Sequence, residues 1–193
     1  MANSETGLYE QILTTAKNLF VNKGYDGMSM REIAEALGVS KAALYYHFKD
    51  KEELFLAVLK IYLDDMSSAL DRITSEPAAC QEQIRSFVKY VLSQPAEQRS
   101  TIRLASQEIT HLKPEARSAF NVIYRQKFID KVQSIFQKGM ENGEFRKIQA
   151  DVAVWALLGI MFPYFYPAHS GNLPVPAEII DEVTGIYLAG ICK

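Results

Sequence analysis

Residues 41–47, KAALYYH, place a cation, two phenol hydroxyls and an imidazole within one short stretch of chain. Lysine, tyrosine and histidine can all donate hydrogen bonds to phosphate oxygens, and an alanine methyl group can contact the methyl group of thymine. At about 100° per residue, Ala42 and Tyr46 share one face of a helix, and Leu44 and Phe48 share the opposite face. The pattern therefore predicts a helix that buries Leu44 and Phe48 and presents its other face to a nucleic acid.

The residues before this helix have the capping signals of a helical hairpin. Ser29 and Glu32 match the S-x-x-E capping box, and Gly38 supplies a left-handed residue that ends a helix. Ser40 is a good N-cap for the helix that follows. Two short helices around a tight turn form a helix-turn-helix, whose second helix enters the DNA major groove. An ordinary hairpin with core tyrosines is the alternative, but two outward tyrosines beside Lys41 favour DNA reading.

These segments resemble the TetR family of bacterial transcriptional regulators over roughly residues 8–55. The resemblance implies an all-α fold of nine helices. It implies an N-terminal three-helix DNA-binding domain (1–52) and a C-terminal helical ligand-binding and dimerisation domain (53–193). The residues that match the family are Gly24, Tyr25, Ser29, Ile33, Ala34, Gly38, Val39, Ser40, Lys41, Leu44, Tyr45, Tyr46, His47, Phe48, Lys51, Glu52, Glu53 and Leu54.

The resemblance also implies which residues touch DNA. Lys41, Ala42 and Tyr46 are expected to contact the bases, and residues along the edges of the helix are expected to contact phosphates. Two positions depart from the family: Ala42 stands where glycine is frequent, and Ala43 lacks the threonine hydroxyl that often bonds a phosphate there. The predicted DNA-binding residues are Ser29, Arg31, Ser40, Lys41, Ala42, Ala43, Tyr45, Tyr46, His47 and Lys51.

The charge of the chain is not that of a general nucleic-acid coat. The formal net charge is −2 with a pI of about 6.0, and residues 1–51 hold as many acidic as basic side chains. Lys41, Lys49 and Lys51 cluster at the reading helix, which favours site-specific binding over indiscriminate attraction to DNA. Cys80 and Cys192 form no C-x-x-C pair, so we expect no metal or disulfide framework. The N-terminus does not have the pattern of a signal peptide, so the expected location is the cytoplasm, and no cofactor is predicted.

The remainder of the chain is predicted to be helical, with a homodimer interface in its last two helices. Asp50 and Glu53 cap a long helix, and Asp151 is expected to cap a nearly all-apolar helix that Pro163 ends. A helix that is apolar on every side must be buried all round, either inside one subunit or against a second copy. Helix-turn-helix readers normally bind palindromes as dimers, which favours the second copy. The uncharged residues 152–168 are too short for a membrane span and contain two prolines, so no membrane partner is expected.

Aromatic residues are concentrated in the C-terminal part of the chain. They could fill the core, but together they predict a largely apolar cavity with a few hydroxyl groups, typical of small-molecule sites. A lipophilic or aromatic effector would fit, and would favour one spacing of the two reading helices. The stretch W-x-x-L-G-x-x-F at 155–162 is similar to acyl-CoA-responsive relatives, so an acyl-CoA is the alternative. The predicted ligand-binding residues are Phe87, Tyr90, His111, Tyr124, Phe128, Trp155, Phe162 and Tyr166.

The sequence thus predicts a ligand-responsive DNA-binding regulator, most simply a dimeric repressor released from a palindromic operator. We find no nucleophile–base pair, glycine-rich nucleotide loop or pair of carboxylates typical of an enzyme, so no catalytic residue is assigned. Glu108 and His111 have the spacing of half a metal site, but no further ligands lie nearby in sequence, so no metal is predicted. A ligand-independent DNA-binding scaffold is the remaining alternative.

Overall fold

The computed structural model describes residues 2–166 and 173–193, with their side chains from residue 7 onward, and these residues form nine α-helices. None of them belongs to a β-strand, although Phe145 and Cys192 form an isolated bridge. The predicted all-α, nine-helix architecture is confirmed. The helices are α1 (Ala2–Lys23), α2 (Met30–Leu37), α3 (Lys41–His47), α4 (Lys51–Ser75), α5 (Cys80–Leu92), α6 (Ala96–Glu108), α7 (114–141), α8 (Ala150–Met161) and α9 (Ala177–Ile191).

The helices α2 and α3 begin and end at the capping residues that the sequence indicates. The Ser29 hydroxyl accepts a hydrogen bond from the Glu32 N–H at 3.3 Å, and the Glu32 carboxylate accepts one from the Ser29 N–H at 2.8 Å. Gly38 ends α2 with a left-handed φ of 67°. The Ser40 hydroxyl then accepts from the Ala43 N–H at 3.1 Å. The capping box, the glycine stop and the second N-cap are confirmed, and they define the tight turn between α2 and α3.

Helix α7 is continuous but changes its hydrogen-bond register once. Pro114–Tyr124 and Asp130–Glu141 are α-helical, and Arg125–Ile129 between them forms a π-turn. In this turn a backbone N–H donates to the carbonyl five residues earlier, so the turn holds one residue more than an α-helical turn. Phe128 and Ile129 in this turn are buried. The π-turn was not foreseen, because the apolar spacing of the segment fits an ordinary helix.

Two compact units divide the chain, one made of residues 1–62 and 101–120 and the other of residues 63–100 and 121–193. In the first unit, α1, α2 and α3 pack with the start of α4 and with residues 101–120 around one apolar core. The predicted functional boundary between residues 52 and 53 stays a prediction. Buried residues of this core include Ile12, Phe20, Ile33, Leu44, Phe48, Leu54, Phe55, Leu104 and Leu112.

The second unit has a core of its own, formed mainly by α5, α7, α8 and α9. A Cβ at Gly139 would lie 2.3 Å from a ring atom of Phe145, so only glycine allows this close approach. The Tyr187 hydroxyl donates to the Ala153 carbonyl at 2.6 Å and joins α9 to α8, and burial raises the pKa of this tyrosine. Buried residues of the unit include Ile84, Phe87, Val88, Val132, Ile135, Phe136, Val154, Leu157, Ile180 and Leu188.

Helix α8 differs from the prediction at its start. It begins at Ala150 with Gln149 as N-cap and with no side-chain cap, so Asp151 lies in the first turn instead of capping the helix. A carboxylate there still interacts favourably with the helix dipole. The helix ends at Met161, two residues before Pro163, as predicted, and passes into a 3-10 turn. Within the described ranges, no helix has both the length and the apolar character that a membrane crossing requires.

Candidate nucleic-acid interface and aromatic site

Helix α3 presents its predicted reading face to solvent. Leu44 and Phe48 are only 0% and 3% exposed, because they pack into the core of the first unit. Tyr45 and Tyr46 are 48% and 77% exposed on the other side of the helix. The first two residues of α3, which are also expected to face bases, are exposed as well. The helix therefore has the two faces that the spacing predicts, with a large aromatic side chain projecting into solvent.

Aromatic rings connect the end of α3 to α1. The ring centroids of Tyr46 and His47 lie 5.3 Å apart at an interplanar angle of 85°, which is an edge-to-face contact. Tyr9 of α1 stacks on Phe48 at 5.3 Å and 21°, and its ring lies 6.1 Å from that of His47 at 61°. Sequence reasoning missed Tyr9, because it lies 38 residues before His47 in the chain.

Several predicted phosphate contacts lie at the exposed N-termini of α2 and α3. Ser29 and Ser40 are exposed there, and free backbone N–H groups at helix N-termini suit phosphate oxygens. Arg31 is exposed, and its Nε lies 2.7 Å from the Glu35 carboxylate, so a phosphate would have to compete with Glu35 for it. Ala43 is half-buried and offers no side-chain donor.

Lys51 occupies a different environment from the other predicted phosphate contacts. Its Nζ donates to the backbone carbonyls of Tyr25 at 2.8 Å and Met28 at 3.2 Å. The same ammonium lies 4.2 Å from the centroid of the Tyr25 ring, a cation–π distance. Burial and the charge of Glu52 in turn raise the pKa of the Tyr25 hydroxyl. Lys51 therefore holds the loop before α2 in place, in addition to any contact with DNA.

Glu108 and His111 hold the same loop from its other side. The Glu108 carboxylate accepts a hydrogen bond from the Tyr25 N–H at 3.1 Å, and His111 Nδ1 lies 2.8 Å from the Asp26 carboxylate. The Nε2 atom of His111 lies 3.7 Å from Oε2 of Glu108. His111 thus belongs to the first unit, whereas the aromatic residues predicted to bind the effector with it belong to the second. Among the described residues, no group of three His, Cys, Asp or Glu is arranged to hold a metal ion.

Three of the predicted ligand residues, Phe87, Tyr124 and Phe128, form an aromatic cluster in the second unit that we call the interior cluster, although Tyr124 is half-buried. The Phe87 ring lies 5.9 Å from that of Phe128, which lies 5.4 Å from that of Tyr124. Desolvation raises the pKa of Tyr124 to about 12, so its hydroxyl is neutral at physiological pH. Tyr90 is half-buried, and burial and the charge of Asp65 raise its pKa. This part of the unit offers apolar ring faces with neutral hydroxyl groups.

Two other predicted ligand residues lie on the surface of the second unit. Trp155 and Phe162 are 56% and 39% exposed, and Val152 of α8 and Ile186 of α9 are exposed as well. We call these four residues the apolar stripe. Tyr166 is half-buried, and its ring lies 5.4 Å from that of Phe162. The eight predicted ligand residues are therefore divided: three form the interior cluster, two are exposed on the second unit, Tyr90 and Tyr166 are half-buried in the second unit, and His111 lies in the first unit.

A buried arginine in the second unit was also missed from the sequence. Arg99 is 1% exposed, and its guanidinium donates to the backbone carbonyls of Gln94 at 2.6 Å, Leu173 at 2.9 Å, Tyr164 at 3.1 Å and Leu92 at 3.5 Å. Desolvation lowers the pKa of this arginine. These bonds join the end of α5 to the residues that follow α8, so we assign Arg99 a structural part.

Comparison with known proteins identifies both parts of the chain. Residues 12–58 match the family model described as bacterial regulatory proteins, tetR family, and residues 77–164 match the model described as tetracyclin repressor-like, C-terminal domain. The HTH-type transcriptional regulator QacR of Staphylococcus aureus is 30% identical, over 96% of this chain and 99% of that protein.

Solved structures agree with these matches. PfmR from Thermus thermophilus, a TetR family transcriptional regulator, has a TM-score of 0.78 and 29% identity, over 92% of this chain and 97% of that chain. AibR, solved in complex with isovaleryl coenzyme A and operator DNA, has a TM-score of 0.77 and 26% identity, over 92% of this chain and 96% of that chain. The similarity extends through both compact units and is not confined to the helix-turn-helix.

Proposed function

The chain belongs to the TetR family of bacterial transcriptional regulators, and we propose that it is a dimeric repressor that a small molecule releases from a palindromic operator. Proteins of this family are DNA-binding regulators and not enzymes. The observation that best supports the proposal is the exposed face of α3, where Tyr46 is 77% exposed on a helix whose opposite side is buried. Because its partner is chromosomal DNA, we place the protein in the cytoplasm.

Operator reading is assigned to the outer face of α3. Lys41, Ala42 and Tyr46 would contact base edges in the major groove. Tyr45 and His47 would contact phosphates beside them, and the helix N-termini at 29 and 40 would add backbone and hydroxyl donors. Arg31 and Lys51 are proposed as further phosphate contacts, and Ala43 as a van der Waals contact only.

The homodimer is proposed to form through α8 and α9. The apolar stripe supports this, because its four large apolar side chains are exposed in the single chain and would be covered by a partner. Three glycines of these helices, Gly159, Gly185 and Gly190, lie where a Cβ would meet nothing within 4 Å in the same chain. Open space at these positions is consistent with the close approach of a second copy. A two-fold dimer would present two α3 helices to the two halves of a palindrome.

The effector site is proposed at the interior cluster of the second unit. Phe87, Tyr124 and Phe128, with the half-buried Tyr90, provide apolar surface and neutral hydroxyl groups that suit a lipophilic or aromatic compound. We propose that Trp155 and Phe162 act at the dimer interface, because they are exposed in the single chain. An effector would shift the population towards a form of the dimer that does not match the operator.

An acyl-CoA is the second candidate effector. It is favoured by the similarity to AibR, which was solved with isovaleryl coenzyme A and operator DNA. The two candidates differ in charge, because the phosphates of coenzyme A need cationic partners that a neutral aromatic compound does not. A competition series with isovaleryl-CoA, its free acid and neutral aromatic compounds therefore separates them.

The test begins with selection of bound duplexes from random DNA, followed by fluorescence anisotropy on the selected duplex. We expect a palindrome, and we expect Tyr46→Ala to weaken binding while Ile61→Ala, an exposed residue of α4, leaves it unchanged. Equal affinity for all duplexes at physiological salt would refute the specific regulator. A compound that releases wild-type protein but not Tyr124→Ala supports the interior site, and release by no compound of either class would favour a ligand-independent scaffold.

A further inference from the structure

We infer that Tyr9 of α1 is a positioning residue for base reading, because its ring orients His47 and, through His47, the exposed Tyr46. The inference rests on the proposed role of Tyr46 in reading the operator. Tyr9 lies outside the predicted DNA-binding set and before the segment 12–58 that matches the family model of the helix-turn-helix. The structure assigns it a part through its contacts in the first unit alone.

The four rings form a series that runs from the core to the reading face. Phe48 is 3% exposed and belongs to the core of the first unit, so it is a fixed support. Tyr9 stacks on it at 5.3 Å with an interplanar angle of only 21°. The centroid of the Tyr9 ring lies 6.1 Å from that of His47, at an interplanar angle of 61°. The His47 and Tyr46 rings are in edge-to-face contact, with centroids 5.3 Å apart and an interplanar angle of 85°. Each pair lies within the distances at which aromatic rings attract one another.

This series matters because Tyr46 is 77% exposed and has little packing to fix its ring. A side chain that is mobile in the free protein loses rotamer freedom when DNA binds, and this loss weakens binding. The contact with His47 restricts the Tyr46 ring beforehand, and Tyr9 restricts His47. The role belongs to the ring of Tyr9 and not to its hydroxyl, so a phenylalanine at this position should act equally well.

The experiment uses the full chain and two labelled duplexes, one selected by the wild-type protein from random DNA and one of scrambled sequence, at one salt concentration. We expect Tyr9→Ala to weaken binding to the selected duplex roughly three- to tenfold per half-site, the effect of releasing an ordered side chain. Binding to the scrambled duplex should weaken by less than about twofold, because among the proposed phosphate contacts only that of His47 depends on the Tyr9 ring. Tyr9→Phe should bind like the wild type, as should the control Ile61→Ala, an apolar residue of the same unit that is 45% exposed.

A double-mutant cycle tests whether Tyr9 acts through Tyr46. In the Tyr46→Ala background, adding Tyr9→Ala should change affinity by less than about twofold, because the Tyr46 ring is absent and only the phosphate contact of His47 still depends on Tyr9. Equal losses in both backgrounds would overturn the inference, and so would a loss of binding by Tyr9→Phe, which would indicate a direct hydroxyl contact with DNA. Equal weakening on both duplexes would indicate a structural role only.

The design also distinguishes a folding defect of the variant, and a failure of the proposed role of Tyr46, from a failure of the inference about Tyr9. If Tyr9→Ala does not fold, Tyr9→Leu keeps apolar bulk on Phe48 without the ring and should show the same selective loss on the selected duplex. If Tyr46→Ala alone binds the selected duplex normally, base reading by Tyr46 is refuted and the inference is overturned with it. If Tyr46→Ala weakens binding but the Tyr9 variants do not, only the inference is overturned.

Discussion

Replacing Trp155 by alanine is expected to separate the proposed homodimer into monomers at micromolar concentration. A buried tryptophan covers about 250 Å², of which the exposed share in the single chain is 56%, or roughly 140 Å². At about 25 cal/mol per Å², burying that surface contributes about 3.5 kcal/mol in each subunit. A two-fold interface contains two copies, so we expect a loss of about 7 kcal/mol and a rise in the dimer Kd of roughly five powers of ten.

Sedimentation velocity over a dilution series measures this Kd directly. Val122→Ala is a matched control, because Val122 is 54% exposed on α7 and lies outside the apolar stripe. Trp155 is also the only tryptophan of the chain, so its fluorescence reports on the same surface. In the wild type we expect emission that is shielded from iodide at high concentration and becomes accessible to iodide as the dimer dissociates.

Two results would refute this assignment. One is a Trp155→Ala protein that dimerises with the Kd of the wild type. The other is a wild-type dimer in which iodide quenches Trp155 as strongly as it quenches free tryptophan. Either result would move the interface away from α8 and α9, and would return Trp155 to consideration as a ligand contact.

Three further perturbations test the packing and the caps. Gly139→Ala places a Cβ 2.3 Å from the Phe145 ring, so we expect the free energy of unfolding in urea to fall by about 1–3 kcal/mol. Gly159→Ala, where a Cβ meets nothing within 4 Å, should not lower it under conditions where the protein is monomeric. Because burial raises the pKa of Tyr124 from 10.0 to about 12, the stability due to its neutral hydroxyl is present below pH 10 and is lost as the pH rises towards 12. Tyr124→Phe should therefore flatten the alkaline fall in unfolding free energy by up to about 2–3 kcal/mol. Ser29→Ala removes the N-cap of α2 and should lower the free energy of unfolding by about 1 kcal/mol, measured in urea.

Each of these expectations has a result that contradicts it. An unchanged urea curve for Gly139→Ala would mean that α7 does not approach Phe145 as closely as described. Alkaline curves that coincide for the wild type and Tyr124→Phe would mean that this phenol is not desolvated. A Ser29→Ala protein as stable as the wild type would mean that the capping box makes no net contribution.

The N-terminal helices could be predicted closely because their causes are local. The bonds between Ser29 and Glu32, the left-handed turn at Gly38 and the cap at Ser40 all act within four residues of chain. The third cap followed the same logic: the Glu53 N–H donates to Asp50 at 2.8 Å. The Glu53 carboxylate in turn accepts a hydrogen bond at 2.8 Å from the N–H of Lys49, one residue before the position that a capping box uses.

Contacts between residues that lie far apart along the chain could not be predicted from the sequence. The partners of Lys51 lie 23 and 26 residues earlier, and Glu108 bonds to a backbone 83 residues away. Nothing in the spacing of these residues reveals that the fold brings them to one loop. The same applies to Arg99, whose burial depends on carbonyls 65 and 74 residues further along the chain.

The sequence also could not show which of the predicted ligand residues are buried and which are exposed, and the reason is different. Helical spacing shows which side chains share a face, but it does not show which face is covered when every face is apolar. In α8 the pattern does not distinguish Leu157, which is fully buried, from Trp155, which is exposed. Only the packing of α8 in the folded chain separates them.

The π-turn of α7 bears on which insertions and deletions this gene can tolerate. Elsewhere in a helix, deleting one codon rotates every later residue by about 100° and would move Val132, Ile135 and Phe136 out of the core. Within 125–129, the same deletion removes the extra residue of the turn and leaves the faces on both sides in register. Sequences that differ in length by one residue at this point are therefore compatible with the same core.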